Sequence, residues 1–189
     1  MSASTWNFYT IDEGCAVFPA VRETFSRLIA PLYGNQSKAL TAIGVGTDRL
    51  CEVLFVGEKP KGLLVYKKAL NEGVLELKTL CLFHPEEESG RGYGSLLHKR
   101  LLDVARIRGA TKIAVSVSSS KPESLLFFEK KGFSLVRMVP GQYRVGVTEY
   151  FLECALPTQV PSSALIFALN RAEDPKYARA NSAPYSYRF

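Results

Sequence analysis

The spacing of hydrophobic and polar positions divides the first part of the chain into strands and helices. Trp6–Ile11 predicts a first strand, and Val17–Leu32 carries apolar residues at helical spacing, which predicts an amphipathic helix. A second, short helix is predicted over Ser37–Ile43. Two apolar runs, Leu50–Val56 and Gly62–Lys67, flank a turn-forming stretch and therefore predict a β-hairpin.

The segment Val74–Phe83 alternates in polarity, as expected for a long strand with one buried face. To the buried face we assign the odd-numbered residues Leu75, Leu77, Thr79, Cys81 and Phe83. Glu76 and Lys78 are assigned to the opposite, polar face. A glycine-rich loop and a helix that ends near Gly109 are predicted to follow.

Strand and helix patterns alternate again in the remainder of the domain. Ile113–Val117 predicts a strand, and the helix that follows it is stopped by Gly132. Phe133–Val139 and Glu149–Leu156 predict two closing strands. This order of elements indicates an α/β (α+β) fold with a mixed sheet.

Length and composition indicate one domain with a short appendage. The chain has 189 residues, of which 47% are hydrophobic and 22% charged, so it can bury a core of ordinary size. We assign residues 1–156 to the domain and residues 157–189, with their four prolines, to a C-terminal appendage. Within the appendage, Ala164–Leu169 is apolar enough to dock on the domain.

The net charge of +6 favours anionic partners, which include a nucleotide cofactor, tRNA and an acidic protein. Four basic residues belong to the predicted helix after the glycine-rich loop and to its end: Lys99, Arg100, Arg106 and Arg108. We assign them to a solvated face, or to contacts with a cofactor phosphate or an RNA backbone.

The four cysteines are too scattered for a zinc site and too few for a disulfide scaffold. Reduced thiols, with no visible export or membrane-spanning segment, predict a cytoplasmic protein without a membrane partner. His84 and His98 are remote from any cysteine pair, so no metal site is predicted.

Alternating glycines lie between the long strand and the next helix, at Gly90, Gly92 and Gly94. They let the backbone turn tightly and expose N–H groups, and the start of the helix adds the positive end of its dipole. Such a turn suits a pyrophosphate, and Arg91 adds a full positive charge. P-loop and dinucleotide-binding motifs fit less well, because Gly-Lys-Ser/Thr and a third glycine at the required spacing are missing. Taken alone, the loop is equally typical of a simple strand-to-helix turn.

The segment Leu80–Leu97 resembles motif A of the GNAT superfamily of acetyl-CoA-dependent N-acetyltransferases. The resemblance continues through Ser124–Phe133 and Gly141–Tyr150, and it covers the chain from Thr5 to Leu156. It implies a mixed sheet of about seven strands, flanked by about four helices and splayed between the fourth and fifth strands. It also implies acetyl-CoA (coenzyme A) as acyl donor, with the pantetheine arm in the splay and an acceptor amine entering from the opposite side.

By position, the resemblance assigns the backbone of Leu82 and Phe83 to the pantetheine arm and the thioester. The pyrophosphate is assigned to the loop residues Ser89, Gly90, Arg91, Gly92, Tyr93, Gly94 and Ser95. Three positions depart from the family pattern. Ser89 stands where Gln or Arg is usual, Lys121 where Asn is frequent, and Phe128 where many members carry a Tyr that protonates the leaving thiolate.

The attacking amine must be neutral, and only about one lysine in a few thousand is neutral at pH 7. Glu76 is a candidate base, and its alternative role is a cross-strand ion pair with Lys78 or Lys67. Tyr143 is the candidate replacement for the missing acid, and its alternative role is packing or lining the acceptor entrance. The amide protons of the splayed strand would stabilise the oxyanion.

Three functions remain open at this point. The first is an N-acetyltransferase that moves an acetyl group from acetyl-CoA to a primary amine of a small molecule or protein, by direct attack in a ternary complex. The second, acetylation of aminoacyl-tRNA or another nucleic-acid-linked acceptor, follows from the charge of +6 and the Arg/Tyr-containing tail. The third, a CoA-binding regulatory protein without catalysis, follows from Phe128. We also consider a homodimer.

Overall fold

A computed structural model describes residues 5–33, 43 and 48–157. Its strands are β1 (Trp6–Ile11), β2 (Arg49–Val56), β3 (Lys59–Lys67), β4 (Val74–Leu82), β5 (Lys112–Ser118), β6 (Ser134–Pro140) and β7 (Thr148–Ala155). These seven strands form one sheet in the order β1-β2-β3-β4-β5-β7-β6. Neighbouring strands are antiparallel except for β4 and β5, which are parallel. The predicted mixed sheet is therefore confirmed.

Four α-helices lie in the described part of the chain: α1 (Phe18–Leu28), α2 (Pro85–Glu88), α3 (Tyr93–Ile107) and α4 (Pro122–Lys130). The sequence pattern predicts three of them, and the short α2 is an addition. None of the described helices is long and apolar enough to span a membrane. Apart from Ile43, the predicted helix Ser37–Ile43 lies outside the described residues, as does the appendage from residue 158 onward.

The sheet separates two hydrophobic cores. On one face, buried residues of α1 pack against buried residues of β2 and β3: Val21, Phe25, Val53, Leu63 and Val65. On the other face, α3 packs against β3 and β4, in a core that also contains residues of β5 and β7, and the buried residues include Leu97, Leu101, Val104, Ile113 and Leu152. Phe128 of α4 belongs to this second core. The helices α3 and α4 therefore lie on the face opposite to α1.

The pairing register between β3 and β4 shifts at one position. Val65 is paired with Thr79, but the next residue, Tyr66, is paired with Leu77. Lys78 is therefore an extra residue in β4, which is the definition of a β-bulge.

The bulge at Lys78 changes which face each later residue of β4 presents. Leu77, just before it, is buried in the core beneath α3, and Leu80 and Leu82 pack against that same core. Phe83 instead packs in the core beneath α1. The prediction that the odd-numbered residues from 75 to 83 share one face is therefore wrong, because the inserted residue reverses the alternation.

The two parallel strands separate immediately after this bulge. β4 and β5 pair only over Val74–Leu77 and Lys112–Val115. Beyond that point β4 continues to Leu82 and β5 to Ser118, and these described segments are not paired with each other. On its other side β5 pairs with β7 along its whole length. The splay between the fourth and fifth strands, implied by the resemblance, is confirmed.

Candidate active site

A cleft opens where β4 and β5 separate. The cleft spans about 600 Å³ of empty space, a volume that includes open solvent. Lys78–Leu80 of β4 and Val115–Ser118 of β5 line its two sides. Other elements complete the wall with the residues Tyr33, Lys121, Ser124, Phe128, Tyr143 and Glu149. The cleft is therefore a product of the splay, closed by side chains that are distant in the sequence.

At the end of β4, the backbone N–H and carbonyl groups of neighbouring residues are directed to opposite sides of the strand. The Phe83 N–H donates to the Lys61 carbonyl oxygen at 3.1 Å, and the Phe83 carbonyl accepts from Arg27 Nη2 at 2.5 Å. Successive residues of an antiparallel strand direct their backbone groups to opposite sides. The groups of Leu82 and Leu80 are therefore directed away from β3, towards the side on which β5 has separated. Of the two residues assigned to the pantetheine arm, Leu82 has the suitable direction, whereas both backbone groups of Phe83 are engaged inside the protein.

The glycine-rich loop forms the turn between α2 and α3. Gly92 is the N-cap of α3, and its φ of 83° lies in the left-handed region that favours glycine. Tyr93 and Gly94 begin the helix, where N–H groups have no carbonyl of a preceding turn to bond. Gly90 and Arg91 are exposed. The turn therefore presents N–H groups and a positive helix end to solvent, as the sequence predicts.

Side-chain contacts hold the loop at both of its ends. Glu88, only 2% exposed, accepts a hydrogen bond from Lys61 Nζ at 2.6 Å. The Ser89 hydroxyl donates to a backbone carbonyl of α2. At the far end, Ser95 Oγ accepts a hydrogen bond from Lys131 Nζ at 2.9 Å. Lys131, which the sequence does not single out, thus places an additional cation beside the loop.

The helix α4 connects the loop to the cleft. A Cβ atom on Gly94 would lie 3.3 Å from Phe127 Cε2, so the glycine permits a close approach of α3 to α4. The next residue, Phe128, lines the cleft, and so does Ser124 one turn earlier. The helix α4 therefore contacts the first turn of α3 through Phe127 and lines the cleft through Ser124 and Phe128.

Glu76 lies in the paired part of β4, opposite Ala114. Its carboxylate accepts hydrogen bonds from two ammonium groups, Lys67 Nζ at 2.9 Å and Lys78 Nζ at 2.5 Å. Partial burial raises the pKa of Glu76, but the two lysines outweigh this effect and hold the pKa below its ordinary value. Glu76 thus makes the cross-strand ion pair considered from the sequence, and the lower pKa makes it a weaker base.

Tyr143 reaches the cleft from the loop between β6 and β7, and it is 37% exposed. Its ring centroid lies 5.1 Å from that of Tyr33. Tyr33 directly follows the short 3-10 helix Ala30–Leu32, which comes after α1. Phe128 lines the same cleft and is buried against the rings of Phe127 and Phe133. The structure therefore brings Tyr143 to the cleft that also contains the position of the missing family Tyr.

Glu149 is a buried carboxyl group in the wall of this cleft. It lies near the start of β7, paired with Ser118 of β5, and it is 4% exposed. Burial raises the pKa of Glu149, and a hydrogen bond with the Ser118 side chain offsets that rise only in part. The sequence pattern gives Glu149 no role beyond a closing strand, because the groups that bury it come from other parts of the chain.

In the described ranges no three His, Cys, Asp or Glu side chains come together as metal ligands. His98 is buried beside the rings of Phe127 and Phe133. Burial, with a smaller contribution from Lys131, lowers the pKa of His98 to about 4. His98 is therefore a neutral residue of the core at physiological pH.

Comparison with known proteins addresses both the sequence and the fold. The model of the Acetyltransferase (GNAT) family matches residues 47–133. No curated protein sequence matches the chain.

Several solved structures are similar in fold. The ribosomal-protein-S18-alanine N-acetyltransferase of Escherichia coli has a TM-score of 0.62 at 13% identity, over 84% of this chain and 98% of that one. An aminoglycoside 6′-N-acetyltransferase complexed with coenzyme A has a TM-score of 0.64 at 13% identity, over 82% and 99%. The IAA acetyltransferase of Bacillus cereus has a TM-score of 0.60 at 16% identity, over 80% and 100%.

At these identities the likeness to solved structures concerns the fold, whereas the family model matches the sequence that contains β4, the glycine-rich loop and α4. The splayed sheet and the sequence match thus agree: residues 47–133 match the Acetyltransferase (GNAT) family model, and the fold is the one found in the acetyltransferases compared above.

Proposed function

We propose that this protein transfers an acetyl group from acetyl-CoA to a primary amine by direct attack in a ternary complex. The observation that carries the proposal is that α4 lies between the glycine-rich loop and the cleft where β4 and β5 separate, and contacts both. An anion-binding turn lies at one end of this arrangement and outward-facing strand backbone at the other. Acetyl-CoA has the matching order of groups, with phosphates at one end and a thioester at the other.

In this proposal, the loop Ser89–Ser95 holds the pyrophosphate through the N–H groups at the start of α3. Arg91 and Lys131 add positive charge beside these groups. The backbone of Leu82 pairs with the amide groups of the pantetheine arm. Phe83 has a supporting role, since its hydrogen bonds to Lys61 and Arg27 fix the end of β4.

The chemical step forms a bond between the amine nitrogen and the thioester carbonyl carbon. The N–H groups of the splayed strand face the site where negative charge develops on the carbonyl oxygen, and such preorganised donors usually make the largest contribution in acyl transfer. The departing thiol has an ordinary pKa of about 8.5, so its thiolate leaves at neutral pH with little help. Tyr143 is proposed as the group that protonates it, since Phe128 has no proton to donate.

An amine acceptor is supported by the reactions named for two proteins of similar fold. One is an aminoglycoside 6′-N-acetyltransferase and the other a ribosomal-protein-S18-alanine N-acetyltransferase. Both names describe acetyl transfer to nitrogen, one on a small molecule and one on a protein.

Two alternatives each have one supporting observation. Phe128, at the place of the family Tyr, favours a CoA-binding regulatory protein without catalysis. The net charge of +6 favours an acceptor linked to nucleic acid, such as aminoacyl-tRNA.

Calorimetry with acetyl-CoA tests the binding step. We expect Gly92→Val to weaken binding at least tenfold, because a β-branched residue does not keep the left-handed φ of 83° that forms the turn. Gly57→Val is the matched control, since Gly57 has a φ of 60° and equally open surroundings but lies in the β2–β3 turn.

If the two glycine variants lose affinity for acetyl-CoA to a similar extent, or if neither loses affinity, the glycine-rich loop is not the phosphate site. Thermal unfolding of both variants establishes that any loss of binding is not a loss of fold.

The acceptor class is tested by thiol release from acetyl-CoA in the presence of small amines, peptides or tRNA. Release that depends on a small amine or a peptide supports the proposed transferase. Release with charged tRNA alone supports the nucleic-acid alternative. Binding of acetyl-CoA without release in any of these mixtures supports the regulatory alternative.

A further inference from the structure

The cleft contains one acidic side chain that the proposed chemistry does not yet use. Glu149 lines the wall formed by β7, and its carboxyl group is almost fully buried. Ser118 of the adjacent strand β5 is paired with Glu149, and its side chain offsets the effect of burial on the pKa of Glu149 only in part. A buried carboxyl group needs a partner to be stable as a carboxylate, and a neutral hydroxyl supplies only part of that stabilisation.

The two lysines of the cleft have carboxylate partners of their own. Lys78 Nζ lies 2.5 Å from Glu76 Oε2, and Lys121 Nζ lies 3.9 Å from Glu123 Oε1. Among the described residues, no Lys or Arg side chain forms an ion pair with Glu149. The cleft thus contains a buried acidic group in a position where a bound cation would pair with it.

Two tyrosine rings line the cleft together with Glu149. Tyr33 and Tyr143 come from opposite ends of the domain sequence, and their ring centroids are 5.1 Å apart at an interplanar angle of 57°. Burial and Tyr143 raise the pKa of the Tyr33 phenol, Arg49 lowers it in part, and the charge of Glu149 adds a smaller rise. Aromatic faces attract ammonium groups, and the attraction strengthens when water is excluded.

From this arrangement, and building on the acetyl transfer proposed above, we propose that Glu149, Tyr33 and Tyr143 form the subsite for the acceptor's amino group and that Glu149 takes its proton. The acceptor enters as an ammonium ion, and one N–H proton passes to a Glu149 carboxylate oxygen. The freed lone pair forms the bond to the thioester carbonyl carbon, the nitrogen then loses its second proton to solvent, and the carbon–sulfur bond breaks. The coenzyme thiolate leaves and takes a proton from Tyr143 or from solvent.

The same arrangement defines a class of acceptor. It favours a primary amine on an uncharged, slender carbon chain, because the ammonium group then meets the carboxylate while its methylene groups contact the two rings. A carboxylate directly beside the amine would be repelled by Glu149.

Binding of butylammonium chloride to the CoA-saturated protein tests the subsite without requiring turnover. We expect NMR titration to detect binding to the wild type and at least a tenfold weaker affinity for Glu149→Gln, which keeps the side-chain shape but removes the charge. Glu153→Gln is the matched control, since Glu153 lies on the same strand but pairs with Lys112 at 2.9 Å. Tyr33→Leu should weaken binding by a smaller factor than Glu149→Gln.

Absence of butylammonium binding to the wild type, or equal affinity of wild type and Glu149→Gln, would overturn the proposal. Calorimetry with CoA is run on the same samples. If CoA fails to bind the wild type, the acetyltransferase proposal itself fails; if CoA binds all variants equally, any change in amine affinity belongs to Glu149 alone.

The pH dependence of kcat/KM gives a second readout that distinguishes a base from a structural residue. We expect kcat/KM to rise with pH through the titration of Glu149, whose pKa is raised by burial, and this limb should disappear in Glu149→Gln. The other titratable groups that line the cleft are Lys78, Lys121, Tyr33 and Tyr143. Retention of the limb in Glu149→Gln and its loss in Glu76→Gln would assign the base to Glu76 and overturn the proposal.

Discussion

At the residue scale, we propose Tyr143 as the proton donor, because Phe128, which lines the same cleft, has no ionisable group. We expect Tyr143→Phe to lower the rate of the chemical step at least tenfold, which corresponds to about 1.4 kcal/mol in the barrier. Single-turnover thiol release measures this step separately from binding. Phe128→Leu is the control and should keep its turnover, since Phe128 supplies no proton. Equal rates for Tyr143→Phe and wild type would favour unassisted departure of the thiolate.

The residues of the glycine-rich loop can be recognised from the sequence, whereas Glu149 and Lys131 cannot. The function of Gly92 depends on its own backbone conformation and on the helix that starts beside it, which are local properties. Glu149 acquires its character from Ser118 and from the fold that buries it. Lys131 acts through Ser95, which lies 36 positions away in the chain. A glutamate such as Glu76 can act as a base, but the hydrogen bonds that its carboxylate accepts from Lys67 and Lys78 form only when the strands are assembled.

At the scale of elements, a buried ion pair joins β2, β3 and α3. Glu52, 1% exposed, accepts hydrogen bonds from Tyr66 OH at 2.5 Å and from Arg100 Nε at 2.6 Å. The assignment of Arg100 to a solvated helix face is therefore wrong. It pairs with a carboxylate on β2, the strand beside β3, against which α3 packs.

Removal of one member of this network should be costly. We expect Glu52→Ala to lower the free energy of unfolding by about 3 kcal/mol, because it leaves the charge of Arg100 and the hydroxyl of Tyr66 buried without their partner. Urea denaturation measures the change. Glu153→Ala is the control and should cost less than ~1 kcal/mol, since the pair of Glu153 with Lys112 is partly exposed. A similar cost for both variants would show that the network has no special role.

The order and type of the elements follow from the sequence more reliably than their bounds. The hairpin predicted from Leu50–Val56 and Gly62–Lys67 is present, but β3 begins earlier, at Lys59, because Pro60 and Lys61 pair with β2 and β4. The helix α2 has only four residues, too few to produce a periodic pattern.

At the scale of the whole molecule, the described domain ends with β7 and the buried Leu156. The division between residues 1–156 and the appendage 157–189 remains a prediction. We expect truncation after Pro157 to leave acetyl-CoA affinity unchanged in calorimetry, because the proposed site lies before that residue. Acceptor activity or the elution volume in size exclusion should change, since the appendage carries exposed-type Arg, Lys and Tyr residues. Full activity with an unchanged elution volume would show that the appendage has neither role.

The fold class can be predicted because strand and helix periodicities succeed each other in an order that few architectures accommodate. The family resemblance implies the position at which two strands of the sheet separate, whereas the pattern of hydrophobic and polar residues does not indicate that position. The separation begins at the bulge, and an extra residue in a strand leaves no local signature in the sequence.

Position 78 also sets how this chain can be aligned with others. The bulge makes the number of residues in β4 as important as their identity: if Lys78 were kept in a regular strand, Thr79 and Cys81 would face α3, and Leu80 and Leu82 would face α1. Deletion of Lys78 would instead remove the bulge and leave the later side chains on their present faces. Alignment with a strand that lacks the bulge therefore needs a gap at position 78, because without the gap every later residue of β4 is assigned to the wrong face.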